Sequence, residues 1–375
     1  MQQQGGNGRA NNNNTNSTFA FVFDFRFVLL FLCLLIISEI FVNWRYGRYG
    51  WQWLTRRPEG TPVEAWRGLQ DMVAAQGGSC ENVTLRRFYH GGMGVEGLAY
   101  TSSFAAATTV LEIPRSLLLS EEDCKACPRH DAVQIDGPMR IAAALHEQEM
   151  LGDASNFALY LPTLPSLDWF RTNHPLFATD EDLEVYDKLP LARLVVLARE
   201  SLRRSYKRLT RYAVDGQLAR MGDDEWMWGS AICLSRCMGM DLNGTRRFVL
   251  APYADKANTD PVPKLNAVWD YNPSSERLQF NTTRRVRKGE EVLISYEKTS
   301  SKTNADYAFY YGFVLRKNPH PLKDHMDRDT CHSILSKPAS VLHATPIRQL
   351  FHTVTQEHCR PFATVTEMPT RGAPP

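Results

Sequence analysis

The hydrophobic positions of this chain change period twice. Between Val83 and Ser120, short β-branched and aromatic runs such as AYTSSF and TTVLEIP alternate with glycine turns, which predicts small antiparallel strands, one of them ended by Pro114. From Met139 to Met150 the period lengthens: MRIAAALHEQEM joins strong helix formers to apolar residues at helical spacing and predicts a buried helix. A longer helix is predicted over Leu191 to Tyr212, where Leu194, Leu197, Leu202, Tyr206, Leu209 and Tyr212 can line one broad face. Arg199, Arg203, Arg204, Lys207, Arg208 and Arg211 occupy the rest and read as a solvated basic surface. DDEWMWGSAICLSR starts a further helix, with acids near its N-terminus where the helix dipole favours them. Strand-like runs then return in RRFVLAPYAD, AVWDYN, RLQFNTT and EVLISY, separated by turn-forming residues. The order is strands, then helices, then strands.

The flanks read differently. The first 26 residues, rich in Asn, Gln and Gly, lack the apolar content to offset the entropy of ordering and predict a disordered tail. Phe27 to Val42, FVLLFLCLLIISEIFV, is apolar except for Ser38 and Glu39; it is short for a span, and Asp24 and Arg26 interrupt its extension. A single-pass anchor over 27–43 is favoured over a cleaved signal peptide or a packed helix. No small-residue cleavage site follows, and Trp44, Tyr46, Tyr49 and Trp51 resemble an interfacial belt. Arg45, Arg48, Arg56 and Arg57 outnumber Arg9 and Arg26 and favour a cytoplasmic domain, whereas the sequons at Asn82, Asn243 and Asn281 have meaning only in the secretory lumen, so cytoplasmic and lumenal orientations both stand. Residues 44–81 read as a linker with a short amphipathic segment, and 320–375 as a peripheral tail ending in PTRGAPP.

Composition narrows the partners. Forty-three basic against forty-one acidic side chains leave a formal charge of +2, so no global field points to nucleic acid. Cys124 and Cys127 form CKAC with His130 close by, but no second pair completes a four-ligand zinc site, which leaves plain cysteines or a loop disulfide and no metal. GMGVEG, Gly92 to Gly97, matches the dinucleotide pattern GxGxxG, yet strands follow it where a nucleotide fold needs a helix; it reads as a glycine-rich turn.

Taken in order, several blocks resemble SET-domain protein methyltransferases of the class that contains the Rubisco large-subunit lysine methyltransferase and the actin-histidine methyltransferase. EGLAYTSSFAAATTVLEIPRSLLLS (Glu96–Ser120) is similar to the opening strands, and ALYLPTLPS and WGSAICLSR to two signatures of the helical region. LAPYADKANTDP and GEEVLISYEKTSSKTNADYAFYYGFVLRKNP resemble the two closing segments. The resemblance covers roughly Asn82 to Pro319 and implies an α+β fold, a SET-domain β-fold with a pseudoknot, split by a helical insert and here joined to the N-terminal membrane anchor. On that reading the SET domain occupies 82–319, with N-terminal strands over 82–135, the insert over 136–225 and the C-terminal core over 226–319.

The resemblance also implies a site. Tyr296 would stand at a narrow channel joining S-adenosyl-L-methionine to the target nitrogen, where the protein orients the reactants. Glu96, Gly97, Arg236, Asn258, Thr259 and Phe313 fall at cofactor-binding positions, and Ser235, Arg236 and Asp255 along the substrate channel. Three positions depart from the family pattern. Thr259 replaces a histidine, Glu96 replaces an arginine and brings an anion whose repulsion of the cofactor carboxylate would be of order 1–4 kcal/mol, and Glu297 replaces a glycine. The expectation is a membrane-tethered protein-lysine N-methyltransferase with a protein substrate, lysine favoured over histidine; the alternative is a catalytically inactive SET-fold protein-binding module.

Overall fold

The computed structural model describes residues 63–90, 93–127, 136–213, 218–242, 244–296, 302–315, 318–320 and 326–360, all within one compact unit, Gly50–Pro375. The tail over 1–26, the anchor over 27–43 and Glu297 lie outside the described residues, among which no helix is long and apolar enough to cross a membrane.

A helix precedes the first strand. Trp66, Leu69 and Val73 share one helical face and are buried, so the amphipathic stretch expected to be linker is helix α1 (Val63–Ala75), packed on the main core. Strands β1 (Val83–His90) and β2 (Met93–Tyr100) form an antiparallel hairpin; most of the glycine-rich GMGVEG therefore lies in a strand rather than a turn. β3 (Thr109–Pro114) and the two-residue β4 (Leu119–Ser120) close the first strand group.

Among the described residues five α-helices follow: α2 (Gly137–Leu151), α3 (Leu167–Asn173), α4 (Asp180–Val185), α5 (Pro190–Tyr212) and α6 (Asp223–Arg236). α2 and α6 match the expected spans to within two residues. α5 buries Leu191, Val195, Leu202 and Leu209, with Ala198 and Tyr206 partly buried beside them, a stripe stepping by three and four residues. Leu194, Leu197 and Tyr212, expected on the buried face, are exposed because the stripe is narrower than the apolar content of the helix.

The second strand group is β5 (Met238–Leu242), β6 (Thr245–Leu250), β7 (Ala267–Asn272) and β8 (Arg277–Thr282). Each half of the strand set contributes to the same sheets, in orders β3-β8-β7 and β4-β6-β5, so the helical insert does not separate two domains. The EVLISY run makes isolated bridges rather than a full strand. Gly289, at φ +79°, turns the chain into a strap. Val292 N donates to Leu98 O (2.7 Å) on one side, Ile294 N to Asn258 O (2.9 Å) on the other, and Leu293 O accepts from Asn266 N and Ala267 N. β2, the Asn258 loop and the start of β7 are thereby fastened around one short segment.

Beyond α7 (Asn304–Tyr311), the region expected to be a peripheral tail forms α8 (Arg328–Leu335), α9 (Ala339–Leu342) and α10 (Pro346–His358). Ile334, Leu342, Ile347, Phe351 and Val354 build a second core with Tyr186, Leu189, Leu191 and Val195 and with Ala308 and Phe309 of α7. Buried Arg348 fixes this cap to α4 by donating from Nε to Asp182 Oδ1 (2.6 Å), and Cys331 and Cys359 form a disulfide across it. Cys124 and Cys127 are also joined, so neither sulfur is a free metal ligand; buried Glu147 accepts from the backbone N–H groups of Lys125 and Ala126 in that loop.

Candidate functional site

The site grows from one strained residue. Tyr253 holds φ +72° and ψ −51°, a conformation costly for a side chain bearing a ring, and it persists only where surroundings over-determine it. Its ring stacks on Trp66 of α1 at 4.1 Å between centroids, and its hydroxyl donates to Val83 O (2.8 Å) while accepting from Gln70 Nε2 (3.2 Å). This clamp starts the turn Ala254–Lys256 and aims Asp255 inward.

The Asp255 side chain is fully buried. Its Oδ2 accepts from Arg236 Nη1 at the end of α6 (2.9 Å) and from the Tyr160 hydroxyl (2.9 Å), while Oδ1 has no hydrogen-bond partner among the described residues. Burial is the largest single influence and works against the Arg236 charge, but the Asp255 carboxylate, helped by Tyr160 and Tyr296, leaves the guanidinium above its ordinary pKa. Burial first, and Asp255 second, push the Tyr160 hydroxyl well up, so it donates as a neutral phenol. Arg236 thus lies at the site but spends a hydrogen bond on Asp255 and on its backbone carbonyl (3.2 Å). Ser235, beside it, turns its hydroxyl back to Ala231 O (2.7 Å) within the helix, which leaves its main chain as what it can offer a channel.

Asn258 follows three residues after Asp255. Its Nδ2 donates to Glu96 O (3.0 Å) and to Glu291 Oε1 (2.8 Å). Gly97 lies against this pair: a Cβ there would collide with the Asn258 amide and fall 2.9 Å from Glu291 Oε1, so only glycine permits the approach. Thr259, where the family pattern has histidine, is buried. Strand alternation resolves the placement of Glu96. Arg87 and Glu96 face each other across the hairpin, and Arg87 covers the face of Gly94, whereas Gly97 looks the other way toward Asn258. Glu96 therefore presents its backbone carbonyl to Asn258 and its carboxylate to the opposite face. The anion beside Asn258 is Glu291, paired with His90 Nε2 at 2.9 Å. Neither Glu291 nor His90 was among the sequence candidates; the only sequence signal was a second acid in GEEVLISY one strand-step from the apolar run.

Tyr296 ends the strap. Its hydroxyl donates to Ala257 O (3.2 Å), the carbonyl just before Asn258, and Trp269 Nε1 donates to Ser295 O (3.0 Å) to hold the backbone there. Tyr311 lies 4.8 Å away between ring centroids, and Tyr307 and Phe313 continue the aromatic wall, Phe313 at 5.9 Å from Tyr311. Gly312, at φ +74°, ends α7 and lets the chain turn so that Phe313 joins this wall. Burial pushes the Tyr296 hydroxyl up, Arg236 opposes this, and Asp255 and Glu291 add to it. At neutral pH the group is a fixed neutral hydroxyl, suited to orienting a partner rather than to taking a proton. Tyr296, Asn258, Arg236 and Asp255 are thus brought together, with Gly97 beneath Asn258 and Phe313 reached through Tyr311.

A comparison with known proteins matches the SET domain to residues 96–297, more than half of the chain. The actin-histidine N-methyltransferase of Drosophila melanogaster is 23% identical over 279 residues, covering 67% of this chain and 50% of that protein, so the chain spans about half the length of this curated relative. Among solved structures, the SET domain of LSMT bound to lysine and AdoHcy aligns with a TM-score of 0.54 at 19% identity, covering 68% of this chain and 58% of that one. Rubisco LSMT bound to AdoMet aligns with a TM-score of 0.53 at 19% identity, covering 68% and 57%. At these identities the likeness to the solved structures is one of fold. With the strap, the Asn258 loop and the Tyr296 end in place, and with the domain matched across 96–297, this chain belongs to the SET-domain family.

Proposed function

We propose that the chain is an S-adenosyl-L-methionine-dependent protein N-methyltransferase, with a lysine side chain as the favoured acceptor and histidine second. The observation that carries this reading is the convergence of the Tyr296 hydroxyl on the Ala257–Asn258 carbonyl edge, beside the Arg236–Asp255–Tyr160 cluster. The cofactor would supply an electrophilic methyl group on a sulfonium cation. The residues present fit a cation: the negative charges of Asp255 and Glu291 are felt at the tyrosine, and the buried Asp255 Oδ1 has an acceptor position to spare. Gly97, Asn258, Thr259, Arg236 and Phe313 would hold the cofactor, with Glu96 contributing main chain. Tyr296, Ser235, Arg236 and Asp255 would line the acceptor channel and keep a neutral amine in line. Binding of S-adenosyl-L-methionine by calorimetry, and transfer of a labelled methyl group that Tyr296→Phe abolishes, test the reading; no binding at millimolar cofactor refutes it.

A second reading has its own support. Both amide hydrogens of Asn258 and part of the Arg236 fork are already engaged, and Thr259 lacks an imidazole, a pattern suited to a SET fold kept as a protein-binding module. Labelled methyl transfer by purified protein excludes it.

The working unit is proposed to extend past 82–319 to include α1 and the C-terminal cap, tethered to a membrane by 27–43. Two buried disulfides favour the lumenal orientation over the cytoplasmic one. Alkylation of the protein as isolated, before and after reduction, tests this: four cysteines should become reactive only on reduction.

A further inference from the structure

We infer that His90 and Glu291 are positioning residues that lock the amide of Asn258 in one orientation and so make it an acceptor for the cationic amino group of the cofactor's amino-acid arm. This rests on the methyltransferase reading above.

A primary amide has two N–H donors and one carbonyl acceptor. Asn258 spends its Nδ2 on Glu96 O and Glu291 Oε1, at 3.0 and 2.8 Å. Both partners are oxygens that can only accept, since one is a backbone carbonyl and the other a carboxylate paired to His90. Rotating the amide by half a turn would set Oδ1 against both, so the orientation follows from the chemistry of the neighbours. What remains for a ligand is Oδ1, which recognises N–H donors and disfavours carboxylates.

Glu291 can hold that amide only if it is held itself. It sits on the strap, where its backbone bridges Ala99, and its carboxylate is 10% exposed. A glutamate side chain has several rotatable bonds to order. His90 removes that freedom from the far side, with Nε2 2.9 Å from Oε2 and 3.1 Å from Oε1. His90, Phe88 and Gly97 occupy the same face of the β1–β2 hairpin, and the bare Gly97 leaves room for the Glu291–Asn258 contact on that face. Three chain segments thereby fix one side-chain amide, and the negative charge behind it favours a cation in front.

The experiment compares two probes on the full chain: S-adenosylhomocysteine, which carries the amino-acid arm, and 5′-methylthioadenosine, which lacks it. Glu291→Ala should weaken the first by about tenfold, the loss of one charge-assisted hydrogen bond's worth of orientation, and the second by less than about twofold. Glu291→Gln, whose Oε1 still accepts from Asn258, should restore most of the affinity for S-adenosylhomocysteine. His90→Ala should lie between, about threefold weaker for that probe alone. Should Glu291→Ala fail to fold, His90→Ala, altered at a ring that is 35% exposed, carries the same comparison. Parallel weakening of both probes, or none, overturns the inference while leaving the methyltransferase reading intact. Wild-type protein that binds neither probe at millimolar concentration removes that reading and the inference with it.

Discussion

Replacing Cys331 and Cys359 together by alanine removes a cross-link whose consequences can be followed from the cap to the site. The two cysteines are 28 residues apart; one lies on α8 and the other at the end of α10, and both are buried. The chain-entropy relation for a loop of that length gives about 3.6 kcal/mol of stabilisation at 25 °C. For domains of 150–250 residues each kcal/mol moves the melting temperature by roughly 2–4 °C, so the double variant should melt about 10 °C lower. The loss should not be uniform. Glu357 Oε1 at the end of α10 accepts from Asn304 Nδ2 (2.6 Å), and Asn304 opens α7, the helix whose Tyr307 and Tyr311 wall in Tyr296. Hydrogen exchange should therefore rise in α10 and α7 before it rises in the strap. The assay is thermal unfolding with hydrogen exchange under non-reducing conditions, using the variant because bulk reductant would also open Cys124–Cys127. A melting temperature within about 2 °C of wild type would refute both the magnitude and the view of the cap as a structural part of the site.

Three further outcomes are expected. Tyr253→Phe deletes a buried hydroxyl that donates to Val83 O and accepts from Gln70, and should cost about 1–2 kcal/mol in urea unfolding; a neutral result would mean that the stacking on Trp66 alone holds the turn. Arg236→Met strands the buried Asp255 carboxylate and should cost about 3–5 kcal/mol, whereas adding Asp255→Asn should recover at least about 1 kcal/mol; additive losses would show that the pair is not coupled. His174, buried, accepts from Leu176 N–H at Nδ1 and faces Tyr310 O with Nε2, so its neutral form is satisfied and burial pushes its pKa down to about 4. Between its ordinary value of 6.5 and about 4 the unfolded chain takes up a proton that the folded chain refuses. Its contribution, at most about 3 kcal/mol, should be present above pH 6.5 and lost as pH falls toward 4; a His174→Gln variant with the same acid dependence as wild type would refute this.

What could be read from the sequence follows the range of the forces involved. α2, α6 and strands β6 to β8 were legible because period and terminal charge are local properties, and the place of Tyr296 next to the Asn258 loop because the ordered blocks around it are distinctive. The cap was not, for three physical reasons: α8 and α9 are short, Pro338 and Pro346 stand at helix starts where the sequence alone reads as breaks, and the burial of a polar Arg348 depends on Asp182, far away in sequence. The spacing of Ile347, Phe351 and Val354 was present but too brief to outweigh the proline-rich surroundings. Glu291 and His90 were missed because their meeting depends on strand register, which a one-residue slip would reverse.

The two elements that lay outside the recognisable pattern each hold one wall of the site. α1 supplies Trp66 and Gln70 to Tyr253, whose positive φ would otherwise cost about 1–3 kcal/mol, and that residue sets the direction of Asp255 and Asn258. α10 supplies Glu357 to Asn304 and so sets α7 and the aromatic wall beside Tyr296. Neither element falls within 96–297, the part of the chain matched to the SET domain. A strained turn and a packed aromatic wall both depend on the contacts that back them. It follows that the segment 96–297 alone carries Tyr296, Asn258 and Asp255 but neither His90, Tyr311 and Phe313 nor the constraints that bring the first three into register, and that the geometry of the candidate site is a property of the chain from α1 to α10.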